Sequence, residues 1–193
     1  MKIIYICIAL ESGLFYCNML KVKDKEFELY LSEEQLGVRV KALGKALSKD
    51  YDGKCPLVLG ILNGAFMFLS DLMKEVSVPL EVSFIKIASY EAMQSTGSIQ
   101  ELVGLKEEVK ERHIIIVEDI VDTGRSMGHL IDKLREKSPA SIAVASLLLK
   151  PEALLTEVEV DYVGFEIPNK FVVGYGLDYD GHGRNLREIY QLK

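Results

Sequence analysis

The stretch Ile114-Ile115-Ile116-Val117-Glu118-Asp119-Ile120-Val121-Asp122-Thr123-Gly124-Arg125-Ser126 decides the reading of this chain. Its first four residues are β-branched and apolar, the composition of a strand buried on both faces. Glu118 and Asp119 stand where that strand should end, and Asp122 follows in a loop rich in hydroxyls and glycine. From Met127 to Lys137, apolar residues recur at helical spacing: Met127, Leu130, Ile131 and Leu134. The order is strand, acidic loop, helix N-terminus.

A helix start carries free N–H groups and is a natural anion site; Thr123, Gly124 and Ser126 suit an anion bound there. Carboxylates occupy the same loop. Two like charges ~4 Å apart repel by on the order of 4 kcal/mol at an effective dielectric near 20. The helix dipole offsets only ~0.3–1 kcal/mol. A hard divalent cation, together with a ligand offering both a phosphate and hydroxyl groups, resolves the conflict. A sugar phosphate with magnesium meets both demands.

Around this stretch the chain reads as alternating strands and helices. Lys25–Leu31 reads as an edge strand, and Ser32-Glu33-Glu34-Gln35 as a capping box opening a helix to about Lys49. Pro56–Leu62 reads as a buried strand, and Ala65–Val76 as a helix with Phe66, Leu69, Leu72, Met73 and Val76 at helical spacing. Strands are expected at Leu80–Ile87, Ile142–Leu149 and Tyr162–Glu166, and a long exposed loop over Ser89–Gly104. This alternation implies a parallel sheet covered on both faces, with ligands beyond the carboxyl ends of its strands. No G-x-G-x-x-G follows a strand and no G-x-x-x-x-G-K-[ST] exists, which argues against Rossmann and P-loop readings. A receiver domain would not need the Thr123-Gly124-x-Ser126 cradle.

The chain has 193 residues, 49% hydrophobic and 27% charged, with a net charge of −6. That is enough for a core, and the acidic balance argues against nucleic acid as a partner. Cys7, Cys17 and Cys55 form neither a disulfide framework nor a metal-ligand spacing, and read as free thiols in a reducing, cytoplasmic compartment. The apolar run Ile3–Leu10 is too short to span a membrane, and Glu11 follows it.

The Ile114–Ser126 stretch resembles the binding motif for 5-phosphoribosyl 1-pyrophosphate (PRPP) of type I phosphoribosyltransferases: a strand, two acids, two apolar residues, then Asp-Thr-Gly. Three further stretches resemble the hypoxanthine-guanine phosphoribosyltransferases: Leu59–Phe66, Ser89-Tyr90 followed by Ser95-Thr96-Gly97, and Val163–Tyr179. The resemblance runs from about Lys21 to Leu192. It implies an α/β fold of the type I phosphoribosyltransferase kind, with a mostly parallel central sheet flanked by helices and a small hood. Residues 19–193 would form that domain, with Met19 as the native start. Residues 1–18 would be a non-native or disordered extension.

The reaction implied is displacement of pyrophosphate from magnesium-bound PRPP by hypoxanthine or guanine, giving IMP or GMP. Glu118 and Asp119 match the family's ribose-facing acids and, with Asp178, its magnesium ligands. Asp122, Thr123, Gly124, Arg125 and Ser126 match the 5′-phosphate cradle, and Asp122 the general acid/base at purine N7; a helix N-cap is the structural alternative for Asp122. Leu62, Asn63 and Gly64 match the pyrophosphate loop, whose peptide bond is cis in relatives. Asn63 replaces a lysine found in some of them. Lys150 follows the strand Ala143–Leu149 among the substrate-binding candidates. Lys170 matches better the lysine that donates to purine O6, Phe171 the ring that stacks on the base, and Val172 the backbone that reads its edge. Arg184 matches an arginine on pyrophosphate, and Ser89 and Tyr90 a mobile flap. A homodimer or homotetramer is implied, with no nucleic acid or membrane partner. The rival readings are a regulator that keeps the fold to sense PRPP, and a salvage enzyme for another base.

Overall fold

The structure, a computed structural model, describes residues 4–9, 15–87, 101–103 and 105–193. In chain order its elements are β1 (Ile4–Ala9), β2 (Phe15–Val22), β3 (Lys25–Leu31), α1 (Glu33–Asp50), β4 (Leu57–Leu62), α2 (Phe66–Glu75), β5 (Glu81–Ile87) and β6 (Glu101–Val103). There follow β7 (His113–Val121), α3 (Arg125–Arg135), β8 (Ser141–Leu149), β9 (Tyr162–Glu166), β10 (Val172–Val173) and β11 (Ile189–Leu192). Two compact units divide the chain: residues 40–169, here the core unit, and residues 1–39 with 170–193, the hood.

The core unit is built on a six-stranded sheet of order β6-β5-β4-β7-β8-β9. All neighbours pair in parallel except β6, which runs antiparallel to β5. The parallel strands are near-continuous apolar runs because helices cover such sheets. Leu57, Leu59, Ile114, Ile116 and Val144 are all at most 1% exposed. Helix α3 turns Met127, Leu130, Ile131 and Leu134 onto this core, as their spacing predicts. Burying four such side chains stabilises the unit by on the order of 8 kcal/mol, an upper bound.

The strand order reverses between β4 and β7, and ligands bind at such a switch point. There β4 pairs with β7 only as far as Gly60↔Val117, while β8 accompanies β7 to Val121↔Leu149. From Glu118 onward β7 is free of β4, and the two strand ends part.

The hood sheet has the order β1-β2-β3-β11-β10 and is antiparallel throughout. Its core is small: Leu20, Val22, Phe27, Val173, Leu186 and Tyr190. Met19, the expected native start, lies within β2.

Several expectations shift. Glu118 and Asp119 lie inside β7 rather than past its end, because pairing with β8 carries the strand on to Val121. The 89–104 loop ends in β6, a three-residue edge strand made by pairing with β5 and not by any alternation of its own. Helix α2 buries Phe68, Leu69 and Leu72, while Phe66 is 43% exposed. Leu69 and Leu72 are buried as anticipated, but Ala65 and Phe68 complete the stripe in place of Phe66. The capping box forms as read: the Ser32 N–H donates to Gln35 Oε1 at 2.9 Å and the Gln35 N–H to Ser32 Oγ at 3.2 Å. Among the described residues no helix is long and apolar enough to cross a membrane.

Candidate active site

In the core unit the candidate residues gather where β4, β7 and β8 end. Residues Glu118–Gly124, Ser126 and Met127 line a cavity of about 210 Å³. The Asp119 carboxylate lies directly against Gly64, where a Cβ would fall on it. Only glycine lets the loop after β4 approach the acid so closely. The Leu62–Asn63 peptide just before it is cis. Leu62, Asn63 and Gly64 thus border the same acids the sequence singled out.

Glu118 Oε1 accepts the Asp119 N–H at 3.0 Å, and Asp119 Oδ1 accepts the Ile120 N–H at 2.9 Å. Withdrawal from solvent, then the neighbouring Asp119 charge, push the Glu118 carboxyl well above the usual carboxylate range. The pair therefore favours a cation or hydroxyl donors beside it.

Helix α3 begins at Gly124, its N-cap, with φ of 77°. Asp122 is therefore not the cap. Its Oδ2 instead accepts a charge-assisted bond from Lys150 Nζ at 2.8 Å. The Lys150 side chain is only 8% exposed, against 47% for that of Asp122. A buried lysine closing an apolar strand is itself a signal, since unpaired burial of an ammonium is costly. Thr123, Arg125 and Ser126 are exposed around the helix start. The Leu155 N–H donates to the Thr123 carbonyl at 3.0 Å and holds the loop from behind.

The hood carries the remaining candidates. Lys170 and Phe171 are exposed and Val172 is buried in β10. Asp178 pairs with Arg184, Oδ1 to Nη2 at 2.6 Å, and its Oδ2 accepts the Gly181 N–H at 2.6 Å. Arg184 Nη1 also donates to the Gly176 carbonyl at 2.7 Å. These bonds fix a tight hairpin in which Tyr179 and His182 exchange backbone bonds of 2.8 and 3.0 Å. Asp180 and Gly181 at its tip have φ of 49° and 79°, as a type I′ turn requires. The Asp-Gly dipeptide signals that hairpin, and the sequence reading passed over it.

Tyr179, which that reading left without a role, packs edge-on to Phe171 at 5.8 Å between centroids and 81°. Both rings touch Phe27, at 6.2 and 6.3 Å. The Tyr179 hydroxyl donates to Asp24 Oδ1 at 2.9 Å, and that bond holds the Asp24 carboxyl below its ordinary range. Ser89 and Tyr90 lie outside the described residues.

Among the described residues no three His, Cys, Asp or Glu groups come together as a metal cage. The oxygen-only pair Glu118–Asp119 nevertheless fits magnesium, which usually keeps waters and substrate oxygens alongside one or two carboxylates.

Residues 28–180, which contain the glycine loop, the two acids of β7 and the start of α3, match the phosphoribosyl transferase domain family. A hypoxanthine-guanine phosphoribosyltransferase of Lactococcus lactis is 44% identical over 172 residues, covering 88% of this chain and 93% of that protein. One of Streptococcus pneumoniae is 41% identical over 167 residues, covering 86% and 93%. A crystal structure of a hypoxanthine phosphoribosyltransferase from Staphylococcus aureus matches with a TM-score of 0.82 and 39% identity, over 86% of this chain and 91% of that one. The chain belongs to the hypoxanthine-guanine phosphoribosyltransferase family.

Proposed function

We propose that this protein salvages purines: it transfers the 5-phosphoribosyl group of PRPP to hypoxanthine or guanine, forming IMP or GMP and pyrophosphate. The observation that carries this reading is the Asp122–Lys150 pair at the ends of β7 and β8, beside the strand-end acids. A 6-oxopurine presents N7 and O6 side by side on one edge. A carboxylate and an ammonium 2.8 Å apart are complementary to that edge. We therefore assign the O6 donor to Lys150, and not to Lys170, which is exposed in the hood.

In this reading the N–H groups at the start of α3, with Thr123 and Ser126, hold the 5′-phosphate. Glu118 and Asp119 accept hydrogen bonds from the ribose hydroxyls, directly or through a metal ion. Backbone groups of Leu62, Asn63 and Gly64 hold the pyrophosphate, with Arg184 as a bidentate partner. Phe171 stacks on the base and the backbone at Val172 reads its edge. Asp122 takes or returns the N7 proton, and Lys150 donates to O6, so adenine, whose N6 is a donor, is rejected. Glu118 and Asp119 would hold magnesium on the ribose side and Asp178 on the pyrophosphate side, where the ion would neutralise the leaving group's charge. The flap at Ser89 and Tyr90 would exclude water. By the same resemblance the protein would act in the cytoplasm as a homodimer or homotetramer, without nucleic acid or membrane partners.

A magnesium-dependent assay with PRPP and a panel of hypoxanthine, guanine, xanthine, adenine and uracil tests this. Nucleotide from hypoxanthine or guanine, abolished by a chelator, is the expected result. Tight PRPP binding with no product from any base would turn the reading to a regulator.

A further inference from the structure

In the hood the exposed ring of Phe171 rests on the buried ring of Phe27 and the partly buried ring of Tyr179. Phe27 is 0% exposed, and Phe171 is 43% exposed. Tyr179 completes the cluster, touching both rings. A ring presented this way is only as well placed as the rings behind it, because edge-to-face contacts are individually weak, ~0.5–1.5 kcal/mol. Phe27 is fixed by the core of its unit. Tyr179 is not part of that core; it packs partly buried against it. It stands on the 178–184 hairpin, and its outer end is tethered by the hydrogen bond from its hydroxyl to Asp24 Oδ1 at 2.9 Å.

Asp24 sits in the two-residue turn between β2 and β3, whose flanking residues Val22 and Lys25 pair directly. The other turn residue, Lys23, has φ of 54° and forms an ion pair with Asp180 at the hairpin tip. Lys25 Nζ lies 5.6 Å from the Tyr179 ring centroid. Three consecutive contacts thus run from one β-turn to one hairpin. A surface turn needs none of these to hold two strands together.

We infer that the β2–β3 turn is a clasp that positions the base-stacking surface, with Asp24 and Tyr179 as positioning residues acting through Phe171. The inference rests on the proposed role of Phe171. Asp178 and Arg184 share the hairpin but are held by their own bonds to each other, to the Gly181 N–H and to the Gly176 carbonyl. Loosening Tyr179 therefore acts on the purine and much less on PRPP.

The test is steady-state kinetics of the full chain, varying hypoxanthine at saturating PRPP and then the reverse. Asp24→Ala and Tyr179→Phe each raise KM for hypoxanthine about three- to tenfold, the loss of one hydrogen bond, with KM for PRPP and kcat within about twofold. The double variant is no worse than either single one, since both remove the same bond. Asp24→Asn, whose side-chain carbonyl can still accept from Tyr179, restores the wild-type KM to within about twofold. Unchanged hypoxanthine KM in both single variants overturns the clasp, as do additive losses affecting both substrates alike. A wild-type protein that makes no nucleotide from any purine overturns the proposed function itself, and the clasp with it.

Discussion

Lys150 Nζ and Asp122 Oδ2 lie 2.8 Å apart on adjacent parallel strand ends, and the lysine is the buried partner. The pairing holds the largely buried ammonium at the Asp122 carboxylate. Replacing Lys150 by Met removes that donor and leaves Asp122 without its countercharge. We expect kcat/KM for hypoxanthine to fall about 10- to 100-fold, the range for a hydrogen bond to a charged group. Lys170→Met is expected to change it by less than about threefold. The two variants, measured side by side with guanine and hypoxanthine, decide which lysine reads O6; the opposite ranking would return the role to Lys170.

Asp122→Asn keeps the shape of the side chain and removes its capacity to exchange a proton. General acid–base groups contribute ~10²–10⁴-fold to rate. Turnover should fall within that range while nucleotide affinity changes far less. Collapsed affinity with surviving turnover per bound substrate would make Asp122 a binding residue.

Gly64→Ala places a Cβ on the Asp119 carboxylate. Either the acid or the loop after β4 must move, at a cost of ~1–3 kcal/mol for such overpacking. The expected result is a tenfold or greater rise in KM for PRPP, with the thermal midpoint lowered by about 2–4 °C for each kcal/mol of that cost. An unaltered KM would mean that this contact does not set the PRPP site.

At the opposite ends of the strands, the Tyr162 hydroxyl donates to Asp50 Oδ2 at 2.8 Å and ties β9 to the end of α1. Burial and then the Asp50 bond push the Tyr162 phenol well above its ordinary range. The folded state thus keeps a proton that the unfolded chain releases. This contribution is complete below the ordinary tyrosine range, near pH 10, and is lost as pH rises toward the raised value. The unfolding midpoint should decline above about pH 10, more steeply for wild type than for Tyr162→Phe. Equal slopes would show that the bond carries no linkage.

The core unit was largely legible because its signals are local. Buried parallel strands are apolar runs, and α3 repeats its four core residues at helical spacing; in the hood the one equally local signal is Ser32 with Gln35, which spells its own cap. The acids of β7 were visible as chemistry out of place. What escaped depends on pairing at a distance. Nothing near Lys150 names Asp122 as its partner, because 28 residues separate them. Strand β10 has two residues, too few for any period, and β11 exists because β3 and β10 flank it. Tyr179 and Asp24 are 155 positions apart, so no window of sequence contains their bond.

The discontinuity of the hood has a temporal side. Residues 40–169 emerge from the ribosome as one unbroken run, so every hydrogen-bonding partner in the core sheet is available once Asn169 is made. The hood sheet stays open until its fourth strand, Ile189–Leu192, arrives to be gripped between β3 and β10. Synthesis thus makes every strand of the core sheet available for pairing before the hood sheet can close, so the two units are completed in a fixed order.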